Sequence, residues 1–462
     1  MSAAPLYRPE VYDEALDDRG EPRPAYTELL PALAGLDLAA SAEKIDQHFE
    51  AHQIDFRSPH GSEKFNLDLV PRVLTEEEWA QIEPGLRQRA RALAAFVADS
   101  YTEQRIVREG VAPARLIETA EGFEPDLAGA ELADPPPIVV GFDVVRGADR
   151  VFKVLEDNAT TPSGIAYTIA ARTAIDSFVP LKPPAERRDP AAGLDQLHEA
   201  IRRADPSGSG DPSAALICDG GSSSAWFEHQ DLAARLGLRL YRPAQLRRRN
   251  GRLYGEDDDG ERELQVVYRR TDQGALREAE GRPTWLAELL LEPVRRGNLA
   301  VISPLGVSIA DDKLSHAYVE EMIRFYLGEE PLIESLRSFD LAIEEQRAEV
   351  LDRLDEMVVK PRLESGGEGV VIGGQADRAL LEALAKQIES SPESFIAQET
   401  VWLSTHPTLC DGSLEPRHID LRAFAFADQV MPGGLTRVAL QRGSLIVNSS
   451  QDGGAKDTWL LP

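Results

Sequence analysis

The chain has 462 residues, 42% of them hydrophobic, and a formal net charge of −29. That length predicts about three structural units, and so negative a balance argues against nucleic acid as a general partner, because the phosphate backbone would be repelled. Cys218 and Cys410, the only cysteines, lie far apart in apolar or mixed runs and read as free thiols of a reducing compartment. There is no basic n-region with an apolar core behind it and no run of eighteen apolar residues, so a soluble cytoplasmic protein without membrane contact is expected. Eight lysines stand against forty-two arginines, which makes a lysine inside a motif informative.

Residues 1–137 read as mainly helical. Tyr26–Ala40 is Leu/Ala-rich, and Thr75-x-x-Glu78 is a capping box that opens a helix through Ile82. After Pro84-Gly85, Leu86, Ala90, Leu93 and Val97 recur at helical spacing, while Arg87, Arg89 and Arg91 read as a solvated face. The acidic stretch 126–137 ends in three prolines and marks a boundary. Beyond it come two strands, Ile138–Val145 and Val151–Leu155, a loop at Thr161–Gly164 and an Ala/Ile-rich helix, together 138–180. Residues 181–334 read as an open α/β unit, with strands at Ala214–Cys218, Leu238–Tyr241, Leu264–Tyr268 and Leu299–Ile302 and a long helix from Asp311 to Leu327. Residues 335–462 alternate strand, loop and helix again. Here Ala376–Ile388 is amphipathic, Phe395–Leu403, Ile419–Phe426, Leu435–Leu440 and Ser444–Asn448 are strands, and Asp452–Gly454 is a loop.

Six groups of residues could carry chemistry. Met357–Gly373 reads as two short strands joined by a loop holding Ser365, Gly366, Gly367 and Gly369, with Lys360 just before it. Such a loop suits a flap over phosphates or a plain glycine turn; a Walker P-loop is excluded, since there the lysine follows the glycines. Asp143 and Glu156 fall on a predicted antiparallel pair, with Asn158 sharing the face of Glu156. Two carboxylates and an amide oxygen suit Mg²⁺, or a polar strand end with an Asx-turn. Ile396–Val401, with Gln398, Glu399 and Val401, reads as a strand able to present its backbone to a flat ring, or as an edge strand. Arg422 shares a face with Asp420, and Arg437 lies on the next strand; these suit a phosphate or surface salt bridges. Lys456 follows a polar loop near the C-terminus, and Asp311-Asp312-Lys313 either caps a helix or grips a ligand. Ser222 and Ser223 lack a nucleophile elbow and offer hydroxyl and N–H groups at a helix start. The spacing of His406, Cys410 and His418 matches no familiar zinc pattern.

Taken together, VVKPRLESGGEGVVIG, IAQETVWLSTHPTL, PRHIDLRAFAF, PGGLTRVALQRGSLIVNSS, KDTWLL and VLEDNATTPSG resemble the circularly permuted ATP-grasp proteins, a bacterial group related to glutathionylspermidine synthetase. The resemblance extends to NLDLVPRVLTEEEW, FEHQDLAARLG and VVYRR, and so over nearly the whole chain. It implies an α/β (α+β) fold: an ATP-grasp core split between 138–180 and 335–462, a Rossmann-like acceptor unit at 181–334, and the N-terminal helical segment. It further implies ATP and Mg²⁺ as cofactors. Lys360 and the Ser365–Gly369 flap would hold phosphates, Gln398–Val401 the adenine, and Asp143, Glu156 and Asn158 the metal. Arg422, Arg437 and Lys456 would serve catalysis, and Ser222, Ser223, Arg269 and Lys313 the substrate. The activity implied is amide formation between a small carboxylate and an amine, such as an amino acid or peptide, through an acyl phosphate, and a homo-oligomer is compatible with it. A non-catalytic nucleotide-binding scaffold and a phosphotransferase are the alternatives. Ile302–Leu305 and the residues after Arg270 depart from the family pattern, which leaves the acceptor open.

Overall fold

In the computed structural model all residues are described except 1–6, 8, 59–60, 130–134, 185, 272–273, 364–368, 446 and 448–452. Among the described residues a mixed sheet of nine strands forms the middle layer. Its main path runs Glu334–Ser335, Phe152–Asn158, Val139–Arg146, Ser413–Phe426, Leu435–Ala439, Gly453–Leu461 and Leu67–Thr75, with Thr405–Cys410 and Gln429–Val430 hairpinned onto Ser413–Phe426. Both faces are covered. Val140, Phe142 and Val144 point to the long helix Glu76–Ser100, while Val139, Phe424 and Phe426 point to helix Ile165–Phe178. This is the period of two that puts successive strand residues on opposite faces.

A second, parallel sheet has the order Ala300–Ile302, Val266–Arg270, Ala214–Cys218, Arg239–Tyr241, with helix Trp226–Arg235 crossing between the last two. A third, antiparallel sheet has the order Ser338–Asp340, Phe395–Glu399, Met357–Pro361, Val371–Ile372. Together with helices Glu344–Asp352 and Arg378–Ser390 it encloses a separate core around Phe339, Val350, Met357, Val359, Leu384 and Ile388.

Several expectations are corrected. The N-terminal region is not mainly helical throughout, because Leu67–Thr75 is a strand of the main sheet. All but its two end residues are buried, so the alternation that marks a half-exposed strand is missing. Gly453–Gly454 opens a strand rather than a loop, Gly453–Leu461, which pairs with Leu435–Ala439 through its first residues and with Leu67–Thr75 from Ala455 onward. Helix Glu76–Ser100 runs straight through Pro84, whose ring is exposed, while Gly85 lies against Ile333 where a Cβ would come within 2.5 Å. Burial of one face carries the helix past the hydrogen bond that proline forfeits. Tyr26–Ala40 is divided at Gly35 into Leu29–Ala34 and Leu38–Ala51, and Asp311–Leu327 into Lys313–Ala317, Val319–Met322 and a π-turn at Ile323–Leu327. Ser444, Leu445 and Val447 are not in a strand, and the rest of that expected element lies outside the described residues.

Candidate functional site

A cleft of about 770 Å³ opens between the main sheet and the antiparallel lobe, a size that suits a small-molecule ligand. On its floor, Asp143 and Glu156 are direct cross-strand partners, and Asn158 stands opposite Gly141. The ladder is irregular here, since register shifts just after Asp143 and Leu155 is left without a partner. Lys360 projects from the opposing lobe, on a strand held by Phe395–Glu399 on one side and Val371–Ile372 on the other. All four of these residues line the cleft.

Asp143 belongs to a square of four charges, three of them buried and the fourth, Arg422, half-buried. Register places Arg422 opposite Asp143 and Arg437 opposite Asp420. Arg422 donates from Nε to Asp143 Oδ1 at 2.7 Å and from its terminal nitrogen to Oδ2 at 2.8 Å, and Arg437 reaches the same Oδ2 at 2.8 Å. Arg437 Nε also donates to Asp420 Oδ1 at 2.9 Å. Burial alone would raise the Asp143 pKa, but the two guanidiniums outweigh it and hold the group at about 2. Three of its roughly four lone-pair directions are thereby used.

That arithmetic bears on Mg²⁺. Asp143 retains one acceptor direction, so it can contribute one oxygen. Glu156 forms no ion pair among the described residues, and the Asn158 amide nitrogen donates to Gly141 O at 3.4 Å, which leaves its carbonyl oxygen for a ligand. The set is hard-oxygen and open on the cleft side, and it fits an ion that keeps waters and takes phosphate oxygens. Glu156, free of ion pairs among the described residues, would be its main protein donor. Lys360 likewise forms no ion pair among the described residues, and burial pushes its ammonium pKa down while Glu156 opposes the shift.

The cleft lining also has an apolar set, with Leu155, Leu336, Val358, Val401 and Leu403. The Glu399 N–H is committed to Arg337 O and the Thr400 N–H to Glu356 O. Val401, which lines the cleft, makes no backbone hydrogen bond among the described residues and is free to meet the edge of a flat ring. Gln398 braces the two halves: its amide nitrogen donates to Leu155 O and Ser338 Oγ, and its buried Oε1 has no partner. Glu399 also lines the cleft, and its carboxylate is paired with Arg337. Ser365, Gly366 and Gly367 lie outside the described residues. Gly369, with φ of +69°, sits where a Cβ would meet Pro361 Cγ at 2.7 Å.

Not every expected residue reaches the cleft. Lys456 is fully buried in the main sheet, where its ammonium donates to Asp68 and to Pro407 O at 2.9 Å; this corrects the expectation of a catalytic role, because the group cannot touch a ligand there. Ser222, Ser223 and Arg269 are not among the cleft-lining residues. Ser222 is exposed, the buried Ser223 Oγ has no partner, and Arg269 Nε donates to Ser303 O at 2.9 Å. Lys313 does line the cleft, beside Asp311 and Asp312.

Sequence reasoning passed over two pairings. Asp312 caps helix Lys313–Ala317, as expected, but it is also the buried partner of Arg362, at 2.7–3.0 Å. This clasps the lysine strand to the segment carrying Asp311 and Lys313. The signal was the Lys-Pro-Arg spacing, which puts Arg362 on the face of Lys360. Arg89, expected in solvent, is buried against Asp157. Its position three residues after Leu86 and four before Leu93 placed it on the apolar face.

Comparison with known proteins identifies the family. The family model described as circularly permuted ATP-grasp type 2 matches residues 71–439. An uncharacterised protein of Mycobacterium tuberculosis is 38% identical over 460 residues, covering 98% of this chain and 83% of that protein. An uncharacterised Synechocystis protein is 37% identical, with 97% of each chain covered. A Frankia casuarinae protein named a putative glutamate–cysteine ligase is 40% identical over 98% of this chain, which spans only 54% of that relative. Among solved structures, a glutathione synthetase-like effector from Globodera pallida has the same fold, with a TM-score of 0.60, 12% identity and coverage of 92% of this chain and 97% of its own. With lysine and carboxylates facing one another across a single cleft, and the family model spanning most of its length, the chain belongs to the circularly permuted ATP-grasp type 2 family.

Proposed function

We propose that the chain is an ATP- and Mg²⁺-dependent carboxylate–amine ligase acting on a small amino acid or peptide. The observation that carries this reading is the opposition of Lys360 to Glu156, Asn158 and Asp143 across a cleft that also has apolar lining. The name of the Frankia relative, a putative glutamate–cysteine ligase, supports the same reaction class.

In this reading the antiparallel lobe (within 335–462) holds the nucleotide, the strands of 138–180 hold the phosphate end, and 181–334 shapes the acceptor side. Mg²⁺, held by Glu156, Asn158 and one oxygen of Asp143, would neutralise phosphate charge. Val401 meets the adenine edge, and Lys360 sets the phosphates in line with the acceptor. A substrate carboxylate oxygen attacks the γ-phosphorus, and the bond to the β,γ-bridging oxygen breaks to release ADP. The amine nitrogen then attacks the acyl carbon, the carbon–phosphate oxygen bond breaks, and phosphate leaves as the nitrogen loses a proton. Catalysis of this kind is mostly positioning and charge neutralisation. Arg422 is the nearer candidate for the acyl phosphate, because Arg437 is shared by two aspartates.

The test is ADP release with Mg-ATP and pooled amino acids, amines and short peptides, with and without hydroxylamine. Amine-dependent ADP release and a hydroxamate are expected. Nucleotide binding without any turnover would overturn the ligase reading in favour of a scaffold. Turnover to a stable phosphorylated product that gives no hydroxamate would overturn it in favour of a phosphotransferase.

A further inference from the structure

Alternation along Phe152–Asn158 turns Glu156 and Asn158 toward the cleft and sends Asp157, between them, to the opposite face. There Asp157 is fully enclosed. Arg89, from helix Glu76–Ser100, donates from Nε to Oδ1 at 2.5 Å and from a terminal nitrogen to Oδ2 at 2.8 Å. Its remaining terminal nitrogen donates to Ser335 Oγ at 2.8 Å, on the edge strand paired with Phe152–Asn158. His316 Nδ1 lies 2.7 Å from Asp157 Oδ2 and donates to it, and His316 Nε2 is buried without a partner. His316 sits on helix Lys313–Ala317, three residues beyond the cleft-lining Lys313. Three elements thus meet on one carboxylate: the long helix, the floor strand and the acceptor-side helix.

We propose that Arg89, Asp157 and His316 form a positioning network that aims Glu156 and Asn158 into the cleft and fixes them relative to Lys313. It rests on the ligase reading above. The reason lies in the ladder. Leu155 is bulged out of register, so the backbone hydrogen bonds beside Glu156 are interrupted, and a bulge by itself permits the strand to twist. Pinning the next side chain from two directions removes that freedom. Stability alone does not account for the arrangement, since a buried ion pair adds little over an apolar pair of the same shape. What a bidentate guanidinium and a histidine supply is direction.

The experiment compares His316→Leu, which keeps volume but removes the donor, with His316→Asn, whose amide N–H occupies the place of Nδ1–H. Melting temperature, ATP binding titrated against Mg²⁺, and kcat with KM for ATP are measured for each. For His316→Leu, the Mg²⁺ concentration giving half-maximal ATP binding should rise roughly 10- to 100-fold, the range seen when the residues that orient metal ligands are removed. Its kcat should fall with KM for ATP at saturating Mg²⁺ little changed, and His316→Asn should recover most of both. Unchanged Mg²⁺ dependence in His316→Leu would overturn the positioning role while leaving the ligase reading intact. Equal losses in both variants with parallel drops in melting temperature would reduce the network to a structural one. A wild-type protein whose ATP binding ignores Mg²⁺ would remove the metal assignment itself, and this proposal with it.

Discussion

The charge square predicts a specific cost for Asp143→Asn. The substitution keeps the shape of the side chain but leaves Arg422 and Arg437 facing a single carboxylate, Asp420, at a place where Asp143 is only 2% exposed. Uncompensated buried charge of this kind costs about 3–5 kcal/mol. At roughly 2–4 °C per kcal/mol, a lower melting temperature by about 6–20 °C follows. The pH dependence has a definite sign. Asp143 titrates at about 2, below its ordinary 3.8, so its contribution is present above the unfolded value and is lost as pH falls from about 4 toward 2. The gap between wild type and variant should therefore be full at pH 7 and close in that acid window. Arg422→Met removes the excess positive charge, so the double variant should lose less than the sum of the singles, by about 0.5–3 kcal/mol. Scanning calorimetry at pH 7 and along the acid limb measures all of this. An Asp143→Asn protein that melts within about 2 °C of wild type, with an additive double variant, would refute the view that these four charges hold one another in place.

Two further outcomes follow from the site. Lys360→Met should weaken ATP about 10- to 100-fold by calorimetric titration, the worth of a charge-assisted hydrogen bond; unchanged affinity would take Lys360 out of the phosphate site. Asp311 is pushed up to about 6 by burial, with Glu156 adding to the shift, while the N–H groups of Ala159 and Thr160 restrain it. A carboxyl raised in the folded state loses stability as pH climbs past its unfolded value, so Asp311→Asn should melt higher than wild type at pH 8 and converge with it below about pH 4. A difference that grows as pH falls would contradict that sign.

Much of the floor was legible because strand chemistry is local. The short link between Ile138–Val145 and Val151–Leu155 forces an antiparallel pair, and the register puts Asp143 opposite Glu156 as the spacing required. Lys360 was legible in the same way, from one strand, and Val401 from its place two residues past the end of Phe395–Glu399. What could not be read were partnerships between distant segments. Lys456 carries the scarcity of a functional lysine, yet its partner is Asp68, a residue whose strand has no exposed face to announce it. Arg89 was hidden by its arginine neighbours: Arg87 and Arg91 are exposed, and only its position relative to Leu86 and Leu93 separates it from them. The irregularity at Leu155 has no sequence mark at all, being set by how two strands and three layers settle together.

The strand Leu67–Thr75 has a single β-partner among the described residues, Gly453–Leu461, and that partner also closes the sheet against Leu435–Ala439. In time rather than space, this orders the birth of the molecule. Roughly 380 residues separate the two strands, so at ~5–20 residues per second the first waits on the order of 20–75 s for the second to be made. During that interval a strand destined for burial has an open edge, and its own polar members, Asp68 and Arg72, have no strand beside them. Pairing across so long a separation is slow. The antiparallel lobe, built from residues 338–399 alone, can assemble before it. The half of the cleft that carries Lys360 is therefore finished while the half that carries Asp143 and Arg437 is still waiting for its last strand.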